Sequence, residues 1–328
     1  MISALTLAAW LFLLGGCTAV KVKLGMKIYL ANTPVSSMQA SVPNGPAIAP
    51  GQKLSLVVQF TQPDGTVLMT EGQGKGKVMW NDLTVAPSVI TADQKGRIKL
   101  PGDPRVSDGK VAHVTITVPS HPDLRAELDI PITYDYNFTA NFSGSAGSSG
   151  MNGSDGIDGI PGSMGSMDPN NPSPGGNGSN GGNGSNGQDG GQGGDSPAVD
   201  IRVALRPGTH PLLQMSVSVG GTQRLYSVDP QGGALNVKSD GGPGGPGGRG
   251  GRGGRGGHGG SGGIGTPNGS SGMDGASGRN GYDGPAGRSG RITVTYDPQA
   301  KPYLGAIHLS NKSGPPPEFR EAPVAPLW

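Results

Sequence analysis

Glycine stands at every third position through two long blocks of this chain. In the first it falls at Gly144, Gly147, Gly150 and on to Gly165, then at Gly175, Gly178 and on to Gly193. In the second it falls at Gly241, Gly244 and on to Gly265, then at Gly269, Gly272 and on to Gly290. Of the 63 glycines, 44 lie in 144–194 and 241–290, so the residue is patterned rather than spread. Three residues per turn is the period of the polyproline II helix, which makes no hydrogen bonds within itself. Residues i, i+3 and i+6 then share one edge, and glycine there lets a neighbouring backbone approach. Such runs must find their backbone partners elsewhere, which points to a structural or surface-interaction protein rather than an enzyme.

The phase of the glycines carries more information. Gly165 and Gly175 are out of step across Ser166–Pro174, a segment rich in proline and asparagine that reads as a turn. Runs 144–165 and 269–290 have the form Gly-X-Y, with one bare edge, whereas 241–263 has the form Gly-Gly-X, with two. A run with two bare edges can be packed on two sides, so 241–263 is expected inside a bundle with the single-glycine runs around it. Two readings compete with a single-chain bundle: a disordered low-complexity linker and a collagen triple helix, which also needs glycine at every third place.

Between and around the blocks the pattern is β. Residues 17–142 contain the alternating segments Lys53–Phe60 and Val111–Val118, a turn at Pro63-Asp64-Gly65, and a last strand over Glu127–Tyr136. In 196–240, Val199, Ile201, Val203 and Leu205 alternate with polar residues, as do Leu213, Met215, Val217 and Val219. Ile292–Tyr296 and Ala306–Leu309 are too short to stand alone, so 291–311 is expected to complete the small sheet begun in 196–240. Aromatics at 5% limit the size of any core. The fold class expected is all-β plus glycine-rich polyproline II or polyglycine II helices, with almost no α-helix. A β-sandwich occupies 17–142. The glycine blocks occupy 143–195 (turn at 166–174) and 241–290, and a proline-rich tail, extended or disordered, occupies 312–328.

The N-terminus carries the second strong signal. Ala4–Leu14 is an apolar run of signal-peptide length, and it leads into Leu14-Gly15-Gly16-Cys17, which holds the only cysteine. These four residues resemble the lipobox of bacterial lipoproteins; the alternative is a buried first strand with an ordinary cysteine. The resemblance implies a signal peptide over 1–16, a covalent lipid (palmitate and related acyl chains) on Cys17, and a membrane partner through that anchor. With Thr18 following, it also implies the outer membrane or cell surface. The 17–142 region resembles bacterial immunoglobulin-like domains. The triplets resemble both the collagen-like repeats of bacterial surface lipoproteins and the polyglycine-type bundles of some phage adhesins and insect antifreeze proteins.

Arg249, Arg252, Arg255 and His258 fall three apart and would line one edge of a helix, about 9 Å from one to the next at about 3.1 Å per residue. They are the candidate anion-binding residues, fit for lipopolysaccharide or an acidic glycan. The competing reading is a solvated face, or pairing with Asp155, Asp158, Asp189, Asp274 or Asp283 on neighbouring runs. His113, His121, His210, His258 and His308 show no metal-ligand spacing, and no nucleophile–base–acid arrangement or phosphate loop stands out. No catalytic residues and no cofactor are therefore expected beyond the lipid on Cys17. The expected partners are a membrane, surface polysaccharide or another surface protein, with no nucleic acid and no small-molecule substrate. The expected role is a non-enzymatic spacer or adhesin at the cell surface. The alternatives are a binding module for anionic glycan and a collagen-like homotrimeric stalk.

Overall fold

The structure, a computed structural model, describes residues 21–328 apart from Lys23, Pro207 and Thr209. The expectations for 1–16 and for Cys17 lie outside the described residues. The fold is all-β, with helix confined largely to short 3-10 segments.

The first unit is built from β1 (Ser37–Ser41), β2 (Lys53–Ser55), β3 (Val57–Thr61), β4 (Val67–Met69), β5 (Thr84–Ser88), β6 (Thr91–Ala92), β7 (Arg97–Lys99), β8 (Ala112–Val118) and β9 (His121–Ile130). They form three three-stranded antiparallel sheets, β1-β3-β4, β2-β7-β6 and β5-β8-β9. Alternation dictates the core: Ala112, Val114, Ile116 and Val118 of β8 point inward and meet Phe60, Ile98, Leu100 and Ile130. The segment Lys53–Phe60 differs from the single strand expected. Its chain breaks at Leu56, whose N–H bonds Gly96 O instead of a sheet partner. The strand therefore switches sheets there, and burial of Leu56 at 1% exposure holds the corner.

The second unit is built from β10 (Asn137–Asn141), β11 (Val199–Arg206), β12 (Leu212–Val219), β13 (Thr222–Val228), β14 (Ala234–Lys238), β15 (Ile292–Tyr296), β16 (Ile307–Ser310) and β17 (Glu318–Glu321). They form a five-stranded sheet, β13-β12-β11-β15-β17, and a parallel three-stranded sheet, β10-β14-β16. One core fills the space between them, with Val199, Ile201, Val203, Leu213, Met215, Leu235, Val237 and Val294 among its members. Ile292–Tyr296 pairs in parallel with Val199–Val203, so residues on both sides of the second glycine block share one sheet.

Three details correct the sequence reading. Two sheets, not one, surround the second core. Asn137–Asn141, placed by the sequence in the first unit (17–142), belongs here, because its inward Phe138 and Ala140 fill the second core. The 312–328 segment, expected as an extended or disordered tail, contributes β17 to the five-stranded sheet. Its end is fixed as well: Gln214 Oε1 accepts the N–H of Leu327, and the indole N–H of Trp328 donates to Asp108 of the first unit.

Four strands run directly into or out of glycine runs. Run 1 (144–165) follows β10, run 2 (175–194) precedes β11, run 3 (241–263) follows β14 and run 4 (269–290) precedes β15. None of the four is α-helix or strand. The turns that join them, 166–174 and 264–268, stand at the end away from the sheets.

Candidate interaction surface

The backbone of the four runs is tied together every third residue. The Gly N–H groups of run 1 from Gly147 to Gly165 donate to run 3 carbonyls, from Pro243 to Ser261, and Gly144 donates to Asp240 just before run 3, all at 2.7–2.9 Å. Run 2 donates to run 1 from Gly176, Ser179 and on to Gly194, and to run 4 from Gly178 and on to Gly193, with Gly175 donating to Pro267 in the turn before run 4. Run 3 donates to run 2 from Gly242 to Gly260, with Gly263 donating to Ser173 in the turn before run 2, and run 4 donates to run 3 from Gly269 to Gly287. Runs 1 and 3 are parallel, as are 2 and 4; the other pairs are antiparallel. Among the described residues no backbone bond joins runs 1 and 4. Five pairings among four runs fix a rhombic cross-section with runs 2 and 3 on the shared diagonal.

Run 3 was the run expected inside, and its second glycines, Gly242 through Gly263, are buried at every third residue. Run 2 shares the diagonal, which the sequence reading did not anticipate. Its second edge is also glycine at Gly176, Gly182, Gly191 and Gly194 but carries Ser179, Ser185 and Gln188 between them. Space explains the mixture. A Cβ on Gly251 would stand 1.9 Å from Ser154 O, whereas one on Gly182 would meet nothing nearer than Ile157 N at 3.2 Å. Serine fits that looser edge and adds a bond, because Ser179 Oγ and Ser185 Oγ accept the N–H groups of Ile160 and Ser154 at 2.7 Å.

A second period of three is superposed on the glycines. Asn177, Asn180, Asn183, Asn186, Asp189 and Asp195 each accept, through Oδ1, the backbone N–H of the residue 93 further on, from Ser270 to Arg288. Asn152, Asp155 and Asp158 do the same for Arg249, Arg252 and Arg255, 97 further on. Asn268, Asp274, Asn280 and Asp283 serve Gly262, Gly256, Gly250 and Gly247. These side chains satisfy N–H groups that the glycine ladder leaves over. The signal was in the sequence as Asn-Gly repeating from Asn177 to Gly187, but its meaning depends on partners about ninety residues away.

This arrangement corrects the charge pairing offered for the arginines. Asp155 and Asp158 bind the backbone of Arg252 and Arg255, not their guanidinium groups. Asp189, Asp274 and Asp283 likewise bind backbone N–H groups. Arg249, Arg252, Arg255 and His258 are all exposed and share one edge of run 3. None of the ion pairs among the described residues includes them. On the same face stand two carboxylates, Asp155 and Asp158, so three guanidinium groups are partly offset. Apolar side chains are exposed as well: Met151, Ile157 and Ile160 on run 1, and Met164, Met167 and Ile264 at or beside the distal turns.

One constellation escaped the sequence reading. His113 Nδ1 lies 2.7 Å from Asp129 Oδ1, and its Nε2 lies 3.3 Å from Thr115 Oγ1. Cross-strand pairing of His113 with Asp129 and the same-face spacing of Thr115 bring the three together. Such a register is invisible without the fold. The group stands on the half-buried outer face of the β5-β8-β9 sheet, and it acts as a cross-strand polar pairing. Among the described residues no three His, Cys, Asp or Glu side chains gather as a metal site requires.

No family model, curated protein or solved structure matches this chain.

Proposed function

We propose that the four runs are threefold helices of the polyglycine II type, and that the chain is a non-enzymatic cell-surface protein held to a membrane by lipid on Cys17. In this reading the immunoglobulin-like first unit and the second β unit form a base. The bundle, about 65 Å long at about 3.1 Å per residue, is a stiff spacer. Its far end, with turns 166–174 and 264–268, makes the adhesive contact. The observation that carries the reading is the uninterrupted ladder: every third N–H of all four runs finds its acceptor within the same chain, in another run or, at the run ends, in a residue that flanks one. An acceptor within the chain favours a self-contained rod over a trimeric stalk, which draws its acceptors from other chains. The exposed Met164, Met167 and Ile264, at 70%, 51% and 65%, supply apolar contact at the tip.

The test compares cells displaying the full chain, the Cys17→Ala variant, and a Met164→Ser/Met167→Ser/Ile264→Ser variant. Cys17→Ala is expected to release the protein from the membrane fraction. The tip variant is expected to stay membrane-bound and folded while adhesion to a solid or cellular surface falls several-fold. Unchanged adhesion by the tip variant overturns the adhesive assignment, and unchanged membrane association of Cys17→Ala overturns the anchor.

A second reading rests on the unpaired guanidinium groups of Arg249, Arg252 and Arg255. Such a row attracts the phosphates or carboxylates of lipopolysaccharide or another anionic glycan. It requires binding that weakens steeply with salt and that is lost when all three are changed to alanine.

A further inference from the structure

A cleft of about 560 Å³ opens where the two β units meet, within the range of about 300–1,000 Å³ common for small-ligand sites. Its walls come from the first unit around Gly51 and Arg105, from Tyr136 and β10, and from Gln223–Tyr226 on β13. Three aromatic rings form a chain along one wall. Tyr136 meets Phe138 edge to face at 5.2 Å, and Phe138 meets Tyr226 at 5.9 Å. Phe138 is rooted in the second core at 6% exposure, whereas Tyr136 is 39% exposed. The buried ring thus fixes the angle of an accessible one, and a side chain fixed in this way loses little entropy when it binds.

The cleft carries two cations, and only one of them is held in an ion pair. Arg105 is clamped to Asp103, Nη2 to Oδ2 at 2.6 Å and Nε to Oδ1 at 3.0 Å. Arg224 is exposed, with its Cζ 5.5 Å from the Phe142 ring centroid, and takes part in no ion pair among the described residues. An aromatic face beside a guanidinium that no carboxylate compensates matches one ligand chemistry. A pyranose ring stacks its C–H face on Tyr136, and its carboxylate takes the Arg224 fork. From this geometry we infer that the cleft is a binding site for acidic sugar, a uronic acid residue of a polysaccharide. The site lies in the β units and does not rest on the reading of the glycine runs.

The test is calorimetric titration of the full chain with a galacturonic acid oligomer, and with a neutral gluco-oligosaccharide of equal length. Saturable binding of the acidic oligomer is expected, with the neutral one at least tenfold weaker. Arg224→Gln and Tyr136→Leu should each weaken acidic-oligomer binding at least tenfold with the β melting transition retained. Arg249→Ala/Arg252→Ala/Arg255→Ala should leave it unchanged. Arg224 is exposed on an edge strand, so its variant keeps the test valid even if Tyr136→Leu fails to fold. Absence of saturable binding overturns the site, as does binding undiminished in Arg224→Gln. Equal binding of the neutral oligomer overturns the carboxylate assignment. Loss in the triple-arginine variant moves the binding to run 3 and overturns the cleft.

Discussion

Asp189 Oδ1 accepts the backbone N–H of Tyr282 at 2.7 Å, and the two residues are 93 apart in the chain. Val199 and Ile292, paired across β11 and β15, are also 93 apart. The other side of the molecule repeats the relationship with a different constant. Asn152 and Arg249 are 97 apart, and so are Asn137 and Ala234 of β10 and β14. The parallel register set in each sheet therefore continues without slippage along the glycine runs that extend its strands. Polar joints sit at the crossing from one to the other: Ser239 Oγ donates to Pro197 O at 2.8 Å, and Gly290 N–H donates to Ser239 O at 3.0 Å. The sheets act as a template, so the runs need no register signal of their own beyond the period of three.

A shared register predicts which length changes the molecule tolerates. Removing one triplet at the same level from all four runs (156–158, 181–183, 253–255 and 275–277) keeps every pairing in phase. The variant should melt as cooperatively as the parent and be shorter by about 9 Å, at about 3.1 Å per residue, in small-angle scattering. Removing Ile157 alone puts run 1 out of phase from there to the turn. It should expose run 1 amides to rapid hydrogen exchange as far as Gly165.

The two glycine edges of the bundle should respond differently to one methyl group. On Gly251 the added Cβ would overlap Ser154 O at 1.9 Å, a backbone atom that cannot move without breaking the ladder. Gly251→Ala should cost about 1–3 kcal/mol, the range for overpacking. On Gly182 the nearest atoms are Ile157 N and O at 3.2 and 3.4 Å, and the neighbouring positions of that edge already hold serine. Gly182→Ala should stay within about 0.5 kcal/mol of the parent. Thermal melts of the two variants read the contrast directly.

The asparagine row makes a separate prediction. Asn183 Oδ1 accepts the N–H of Ala276 at 2.8 Å in an exposed setting. Asn183→Asp keeps the acceptor and should leave stability and exchange unchanged. Asn183→Ala leaves the N–H to water and should cost about 0.5–1.5 kcal/mol, the net worth of an ordinary hydrogen bond. Faster exchange at the Ala276 amide, with Gly275 still protected by its bond to Gly254 O, is the expected signature.

The glycine period and the β alternation were legible because each is a local pattern with one physical meaning. Val199, Ile201 and Val203 alternate because one face is buried, and Gly251 is glycine because backbone lies where its side chain would be. What the sequence could not show were relationships between distant residues. Asp155 and Asp158 read as charges available to arginine side chains, because nothing local reveals that the Arg252 and Arg255 backbone N–H groups claim them. His113 and Asp129 looked unrelated until antiparallel pairing set them opposite each other. Phe138 sits in an unbroken β pattern, and only its parallel register with Leu235 assigns it to the second core. The cleft beside Tyr136 and Arg224 needed both β units in place.

Asp240 sits where β14 passes into run 3, and it should make the joint acid-sensitive. Its carboxylate accepts the Lys312 N–H at 2.7 Å and the Ser310 hydroxyl at 2.8 Å. The Lys312 N–H foremost, and the Ser310 hydroxyl with it, outweigh the opposing effect of burial and hold the carboxyl below its usual range. A folded-state pKa below the unfolded value, about 3.9 for aspartate, fixes the sign. The stabilisation is fully present above the unfolded value and is lost as pH falls through the folded one. Asp240→Asn keeps an acceptor for Lys312 but not the charge. It should melt below the parent near neutral pH, and the gap should narrow below about pH 4 and close in stronger acid. Melts of both proteins from neutral pH down to about pH 2 make the comparison. A gap that stays constant across that range would show that the charge of Asp240 contributes nothing at the joint.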